Sequence, residues 1–432
     1  MFTGHTVMNS FNRFVEHLRD PLYRNGYALV LSSGLTSALG MGYWILAARL
    51  YSTDVVGINS AILSMMMFLG GAAQFNLVNV LNRFLPRAGR DAGKLIGVIY
   101  LVTSTAALIA SLIYLFGINF WSPSLNFLVE SPFSALAFIF ATISWCIFAL
   151  QDGALTGLRQ ATWVPVENVI FAVAKAVLLV LFAGILPSYG LVASWVISVG
   201  LALLPVNILI FRRLIPAHMC ATEVKYEPIV ASEILRYVLA DYLGYMLWLG
   251  LTTLLPILVV QRLGATANAY YYLSETIAYS LYLVSRNMGM SLITEGALDQ
   301  EKLQEYSIRV LLGTSRLVLP LTAVVVLGAP LILSLFGTNY ASEGATLLRL
   351  LALSAVPNII TSLYLSIVRV QRRMKAVVIM LVSLCSLILG LTYLFLPMYG
   401  INGIGMAWLL GQTVVSLILL CTELRPLLWH KV

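Results

Sequence analysis

Residues 376–396 read AVVIMLVSLCSLILGLTYLFL, a run in which no side chain carries a charge. An α-helix needs about 20 predominantly apolar residues to cross the hydrocarbon core of a bilayer. A strand of a membrane barrel would instead alternate apolar and polar residues over about ten positions. This stretch therefore predicts a transmembrane helix, and similar runs occur along most of the chain.

The composition extends that prediction to the whole chain. Of its 432 residues, 60% are hydrophobic and only 10% are charged, whereas a soluble domain has about 25% charged residues. Because lipid satisfies no backbone polar group, the spans must be helices or a closed barrel, and the long apolar runs favour helices. We predict an all-α polytopic membrane protein of about twelve spans, near residues 25–48, 55–82, 95–117, 133–156, 163–185, 190–211, 237–261, 267–292, 310–335, 345–368, 376–396 and 402–422.

Basic residues define the predicted orientation. Most of the 26 Lys and Arg residues fall in the termini and in alternate connections, and such an excess marks the cytoplasmic side of a polytopic protein. Both ends are therefore predicted to be cytoplasmic, namely the segment 1–24, which lacks a signal-peptide pattern, and the tail 424–432. The net charge of +8 belongs to these loops, so no nucleic-acid partner is expected.

Short motifs recur between the two halves of the chain. Arg49-Leu50 with Thr53 recurs as Arg262-Leu263 with Thr266, Arg159 corresponds to Arg372, and ILPSYG at 185–190 corresponds to FLPMYG at 395–400. These repeats predict two six-helix lobes, 25–213 and 233–423, joined by a polar cytoplasmic connector, 214–232. An even number of helices in each lobe makes the repeats parallel, and transporters built this way bind substrate at the repeat interface near the midplane.

Lys175 lies about midway along the fifth predicted span. A charge at the bilayer centre costs about 2.5–3.5 kcal/mol on insertion scales, so it needs a partner, water or a function. One interpretation makes Lys175 a cavity cation that binds substrate phosphate. The alternative is a structural ion pair or a side chain that reaches the membrane surface.

The eighth predicted span carries a polar stripe formed by Tyr272, Glu275, Tyr279, Tyr282 and Arg286. Steps of three and four residues place these side chains on one helical face, which is predicted to point into a lobe interior. Tyrosine rings and hydroxyls suit the binding of sugars. The alternative is that the carboxylate pairs with a neighbouring helix and that the tyrosines are packing residues.

Four further residues complete the predicted site. Arg316 in the ninth span adds positive charge, whereas Asn76 and Asn79 in the second span share a face near the cytoplasmic mouth. Hydrogen bonding between helices explains the asparagines equally well. Asp241, at the start of the seventh span, and Glu275 are candidate sites for a coupling H⁺ or Na⁺.

Four stretches resemble a known family of membrane proteins, namely ARLYSTDVVGINSAILSMM (48–66), NRFLPR (82–87), LFGTNYASEGATLLRLLAL (335–353) and YGINGIGMAW (399–408). They resemble polysaccharide flippases of the Wzx type that serve O-antigen-like polymers. These flippases belong to the MOP exporter superfamily, which also contains MATE drug antiporters and lipid II flippases.

The resemblance implies a location, a shape and a substrate. The protein would be a multi-pass protein of the bacterial inner membrane, with two six-helix lobes in a MATE-like V around a cationic and polar cavity. The cavity would hold the glycan and pyrophosphate of an undecaprenyl-linked oligosaccharide during transfer to the outer leaflet. Membrane lipids and other polysaccharide-assembly proteins would be its partners.

Two alternatives remain at this stage. A MATE-like antiporter exporting small cations is expected to have a net acidic cavity, whereas the predicted spans contain more basic than acidic residues. A membrane-bound glycan-assembly enzyme is expected to need an outer loop or domain, but the longest predicted outer loop, near 118–132, is short. No cofactor is expected, and without a phosphate-cradling loop transport is expected to use an ion gradient or the membrane potential.

Overall fold

The computed structural model describes residues 37–222 and 231–425, with side chains described for these residues except 87, 221–241 and 297–298. The predicted segment 1–24, residues 223–230 of the connector 214–232 and most of the tail 424–432 lie outside the described residues. Within the described residues, every regular element is helical. The predicted all-α polytopic fold is confirmed.

The principal helices follow the predicted spans closely. They are α1 (37–50), α2 (Thr53–Ala73), α3 (Leu77–Phe84), α4 (Ala92–Phe116), α5 (Pro132–Gly157), α6 (Trp163–Ile185), α7 (Gly190–Leu209), α8 (Ile215–Thr222), α9 (Ala231–Thr253), α10 (Leu255–Leu263), α11 (Ala265–Leu298), α12 (Leu303–Ser334), α13 (Thr338–Val370), α14 (Met374–Tyr399) and α15 (Ile401–Cys421).

Among the described residues, ten helical stretches are long and apolar enough to cross a membrane. Two predicted spans are not among these ten. The first span is described only from residue 37, as α1. The eighth span is α11, which is long enough at 34 residues but carries many polar side chains.

Two predicted spans are interrupted. The span 55–82 is divided between α2 and α3, because Phe75 and Asn76 adopt the left-handed conformation, with φ of 48° and 58°. The hydroxyl of Tyr242 on α9 donates to the carbonyl of Ala72 (2.8 Å) at the end of α2, and the same oxygen accepts from the amide of Phe75 (3.3 Å). The span 237–261 is divided between α9 and α10, where Pro256 opens the second helix because proline is tolerated at a first helical turn.

The described residues pack as two units. Unit A lies within Gly42–Tyr272, and unit B consists of residues 273–425 together with 37–41. In unit A, a buried cluster joins α3, α4, α5 and the end of α7. In unit B, α12 packs on α13, and α15 packs on both α13 and α14. The predicted lobes, 25–213 and 233–423, concern the sequence repeat and stay a prediction.

Two corresponding turns share one backbone conformation. Arg159 after α5 has φ 60°, and Arg372 after α13 has φ 56°. In both turns the next amide reaches back five residues, from Gln160 to the carbonyl of Leu155 and from Arg373 to that of Val368, each at 2.8 Å. Glycine is the usual residue at such a helix end. The recurrence of arginine supports the internal repeat.

Several helices expose an apolar face. On α4, the exposed side chains include Leu101, Ile109 and Phe116. On α6, they include Val173, Val177 and Leu181. Because hydrocarbon accepts such surfaces without cost, these are the faces expected to contact lipid tails.

Candidate functional site

The accessible face of α11 differs from those apolar faces. At 100° per residue, its half-buried and exposed side chains occupy one continuous arc, which we call the polar arc: Tyr272, Glu275, Thr276, Tyr279, Ser280, Leu283, Arg286, Asn287 and Met290. The rest of the circumference is buried, from Leu273 and Ser274 to Met288 and Gly289. Polar and ionisable side chains on a span are expected to line water or protein, not hydrocarbon.

Glu275 lies at one edge of the polar arc. Its side chain is half-buried, and within the described ranges no basic side chain forms an ion pair with it. The alternative in which Glu275 pairs with a neighbouring helix therefore finds no support among these residues. A carboxylate in this position is able to gain and lose a proton or to contact a small cation.

Arg286 lies on the same arc, about 16 Å further along the helix axis. Its side chain is exposed, and the described part of the chain offers it no acidic partner. A guanidinium presents several donors in a planar fork that suits phosphate oxygens. Arg286 therefore places an anion-binding group on a face whose other members are one carboxylate, Glu275, and uncharged side chains.

Tyr279 and Tyr282 have different environments. Tyr282 is only 7% exposed, shares a hydrogen bond of 2.7 Å with Ser354 and meets the Trp408 ring edge-on. Tyr279 is half-buried, and its ring stacks beside that of Tyr282 with centroids 6.5 Å apart. Tyr282 is thus a packing residue of unit B that positions Tyr279, which belongs to the polar arc.

Lys175 is enclosed by aromatic rings. Its Nζ lies 4.0 Å from the ring centre of Trp195, 4.6 Å from that of Tyr43 and 4.8 Å from that of Phe171. The residue is 5% exposed. Within the described residues its contacts are cation–π contacts, which are worth about 2 kcal/mol or more when desolvated. The ion pair that was one alternative interpretation of Lys175 is not observed among them.

The same aromatic cluster reaches Tyr272. Trp44 lies 5.3 Å from Tyr43, 6.3 Å from Trp195 and 4.8 Å from Tyr272, measured between ring centres. Two predicted site residues, Lys175 and Tyr272, are therefore joined through rings that the sequence analysis did not single out. The sequence feature that could have indicated these rings is the shortage of acidic residues in nearby spans. Without a carboxylate, the faces of aromatic rings are the remaining partners for the buried ammonium of Lys175.

Arg316 lies among apolar side chains. It is exposed on α12 and follows the same face as Leu312, Leu319 and Leu327, the last of which is 82% exposed. This is a lipid-type face, and a long basic side chain there is able to extend toward the membrane surface. Its role in binding stays a prediction.

Asn76 and Asn79 lie at the interruption between α2 and α3. The amide of Asn79 donates to the side-chain oxygen of Asn76 (3.1 Å), so the pair supports the left-handed backbone there. Asp241 belongs to α9, but its side chain lies outside the described residues, so its coupling role stays a prediction. Among the described residues, no group of three His, Cys, Asp or Glu side chains is arranged to hold a metal ion.

Comparisons with known proteins identify the fold. No model of a known protein family matches the sequence, and no curated protein sequence does either. A solved structure described as the inward-facing conformation of a multidrug resistance MATE family transporter of the MOP superfamily matches with a TM-score of 0.69 and 14% identity. The match covers 92% of this chain and 96% of that one.

Two other solved structures show the range of proteins with this fold. The lipid II flippase MurJ, in an inward closed conformation, matches with a TM-score of 0.69 and 12% identity over 92% of this chain and 87% of its own. A MOP superfamily transporter from Pyrococcus furiosus, described as having a binding pocket of reverse polarity, matches with a TM-score of 0.64 and 13% identity over 96% and 97%. These similarities concern the fold alone.

Proposed function

Since the chain has the fold of MOP superfamily transporters, we propose that it is a flippase for an undecaprenyl-pyrophosphate-linked oligosaccharide. It would transfer the repeat unit of a polysaccharide from the cytoplasmic to the outer leaflet by alternating access. The observation that carries this proposal is the polar arc of α11, which combines an accessible arginine, sugar-compatible tyrosines and small hydroxyl side chains on one face of a membrane helix.

The chemistry of that face matches the proposed headgroup. Arg286 binds the pyrophosphate, because hydrogen bonds to a charged phosphate are among the strongest available to a side chain. Tyr279 and Tyr272 offer ring faces and hydroxyls to the sugars. Lys175 serves the site through the aromatic cluster, by fixing the rings of Tyr43 and Trp195 behind Trp44 and Tyr272.

Glu275 is the proposed coupling group. A half-buried carboxylate on the same face as Arg286 links substrate binding to uptake of H⁺ or Na⁺, because neutralising Glu275 changes the net charge that the pyrophosphate meets. The membrane potential contributes about 2.3 kcal/mol per charge per 100 mV. Compensation of substrate charge by Arg286 therefore affects the energy of the transfer step directly.

One substitution tests the proposal most directly. Arg286→Gln, in cells whose own copy is deleted, is expected to lower surface polysaccharide at least about tenfold, because a charge-assisted hydrogen bond contributes about 1.5–3 kcal/mol. Undecaprenyl-linked oligosaccharide should accumulate at unchanged protein abundance. Lys94→Gln, which removes an exposed charge at the start of α4, is the matched control. Normal polymer with Arg286→Gln would remove Arg286 from the pathway.

A MATE-like cation antiporter is the second candidate function. It is favoured by Glu275, a carboxylate on the accessible face, which suits a cationic substrate. Glu275→Gln separates the two functions. Loss of resistance to cationic dyes, with normal surface polysaccharide, would support the antiporter, whereas loss of polysaccharide alone would support the flippase.

A further inference from the structure

A basic groove lies at one end of unit B, apart from the polar arc. It is a cavity of about 790 Å³ between the start of α14, the end of α15 and Tyr364 of α13. That volume is typical of small-molecule sites, which span about 300–1,000 Å³. Its rim carries Arg372, Arg373 and Lys375, and its walls include Ile379, Met380, Ile418 and Leu419.

The charges on the rim are only partly compensated. Arg373 forms a salt bridge of 3.0 Å with Glu423, which also lines the groove. In the described part of the chain, no acidic side chain forms an ion pair with Arg372 or Lys375, and both side chains are exposed. The rim therefore presents two positive charges beyond the one that Glu423 neutralises.

The walls of the groove continue into a lipid-type surface. Ile379 is 66% exposed and Ile418 is 56% exposed, and the exposed face of α14 continues through Leu389 to Tyr393. A ligand with a charged end and a long apolar part therefore fits better than a compact anion. The anionic end would contact the rim while an acyl chain follows α14.

We propose that this groove binds an anionic phospholipid of the surrounding bilayer, with the headgroup phosphate on Arg372 and Lys375 and an acyl chain along Ile379 and Ile418. Basic pockets between helices on the cytoplasmic side suit anionic headgroups, and the predicted orientation places this loop there. The site is separate from the substrate pathway proposed above. It holds the connection between α13 and α14 against the membrane surface.

Native mass spectrometry of the purified full chain tests the proposal, with phosphatidylglycerol and phosphatidylcholine as probes. The variant Arg372→Asn/Lys375→Gln removes both charges, and asparagine tolerates the left-handed backbone. The matched control, Arg159→Asn/Lys94→Gln, removes two exposed charges from unit A, one of them at the corresponding turn. Thermal unfolding of each variant verifies that it is folded.

We expect phosphatidylglycerol to bind the unmodified chain at least about tenfold more tightly than phosphatidylcholine. The groove variant should bind phosphatidylglycerol about ten- to thirtyfold more weakly, because it lacks two basic contacts near the membrane surface. The affinity of the control variant for the same lipid should change less than twofold. Ser383→Trp, which fills the exposed wall without changing charge, should also lower binding.

Three results would overturn the proposal. Equal binding of the two phospholipids would show that the rim charges do not select the ligand. Equal losses in the groove variant and the control would show that general surface charge attracts the lipid. Displacement of phosphatidylglycerol by equimolar undecaprenyl diphosphate would assign the groove to the transported substrate.

Discussion

Helices α6 and α11 each carry a charge within a membrane span, yet they place it on opposite sides. On α6, Lys175 points into an aromatic cage, and the exposed face consists of residues such as Val173, Val177 and Leu181. On α11, Arg286 is exposed and the accessible face is polar. A helix against hydrocarbon must turn a charge near the bilayer centre inward or extend it to the membrane surface, whereas a helix against water is able to present it.

The difference shows that a charge within a span does not by itself define a binding site. Lys175 and Arg286 are both charged side chains within membrane helices, where such residues are rare. Only Arg286 lies on an accessible face that is itself polar. The polarity of the neighbours on the helical wheel, together with burial, separates a structural cation from one that is able to meet a substrate.

The largest expected effect comes from introducing an arginine on the apolar face of α6 and, for comparison, on the polar arc of α11. Val177→Arg on α6 is expected to destabilise the protein by about 3 kcal/mol, the cost of arginine near the bilayer centre. Ser280→Arg, on the polar arc of α11, should cost less than about 1 kcal/mol. Thermal unfolding and membrane abundance of the two variants measure the contrast. Equal losses would mean that both faces meet the same medium.

A smaller effect is expected from the aromatic cage. Lys175→Ala should destabilise the fold by about 2 kcal/mol, because it removes both the alkyl packing and the cation–π contacts. Lys175→Met keeps most of the volume, and the loss of its cation–π contacts is partly offset because a costly buried charge is removed, so it should cost less than Lys175→Ala. Tryptophan fluorescence should shift in both, since Trp195 lies 4.0 Å from the Nζ. Unchanged stability in both variants would contradict a structural role for Lys175.

The smallest expected effect concerns the two tyrosines on α11. Tyr282→Phe removes the hydrogen bond with Ser354 and should cost about 1 kcal/mol of stability. Tyr279→Phe should leave stability within about 0.5 kcal/mol but lower transport, measured as flipping of a labelled lipid-linked oligosaccharide in proteoliposomes. The opposite pattern would exchange the assigned roles of the two rings.

Much of the fold followed from local patterns, because apolar runs and their polar boundaries are properties of contiguous sequence. The polar stripe of α11 was also recognisable, with one exception. The residues of the stripe are spaced 3.5 residues apart on average, whereas one helical turn has 3.6 residues, so successive members shift around the helix. Tyr282 lies about 80° around the axis from Tyr272 and therefore falls on the buried side.

The environment of Lys175 was not predictable in the same way. Its three rings come from Tyr43, Phe171 and Trp195, two of which are distant in sequence and are joined to it only by packing between helices. The interruption at Phe75 and Asn76 was equally hidden, because asparagine occurs within helices as well as at left-handed positions, and the bend is supported by a contact from Tyr242, which is distant in sequence.

The interruption between α2 and α3 also bears on the elasticity of the second span. A continuous helix resists a sharp bend because its ladder of amide-to-carbonyl bonds must break, but at Phe75 the ladder is already replaced by three-residue bonds, from Phe75 to Ala72 and from Leu77 to Gln74. Deflection of α3 relative to α2 therefore strains these short bonds, the bond between the Tyr242 hydroxyl and Ala72 and the packing beside it. The span is stiff along each segment and compliant at one point.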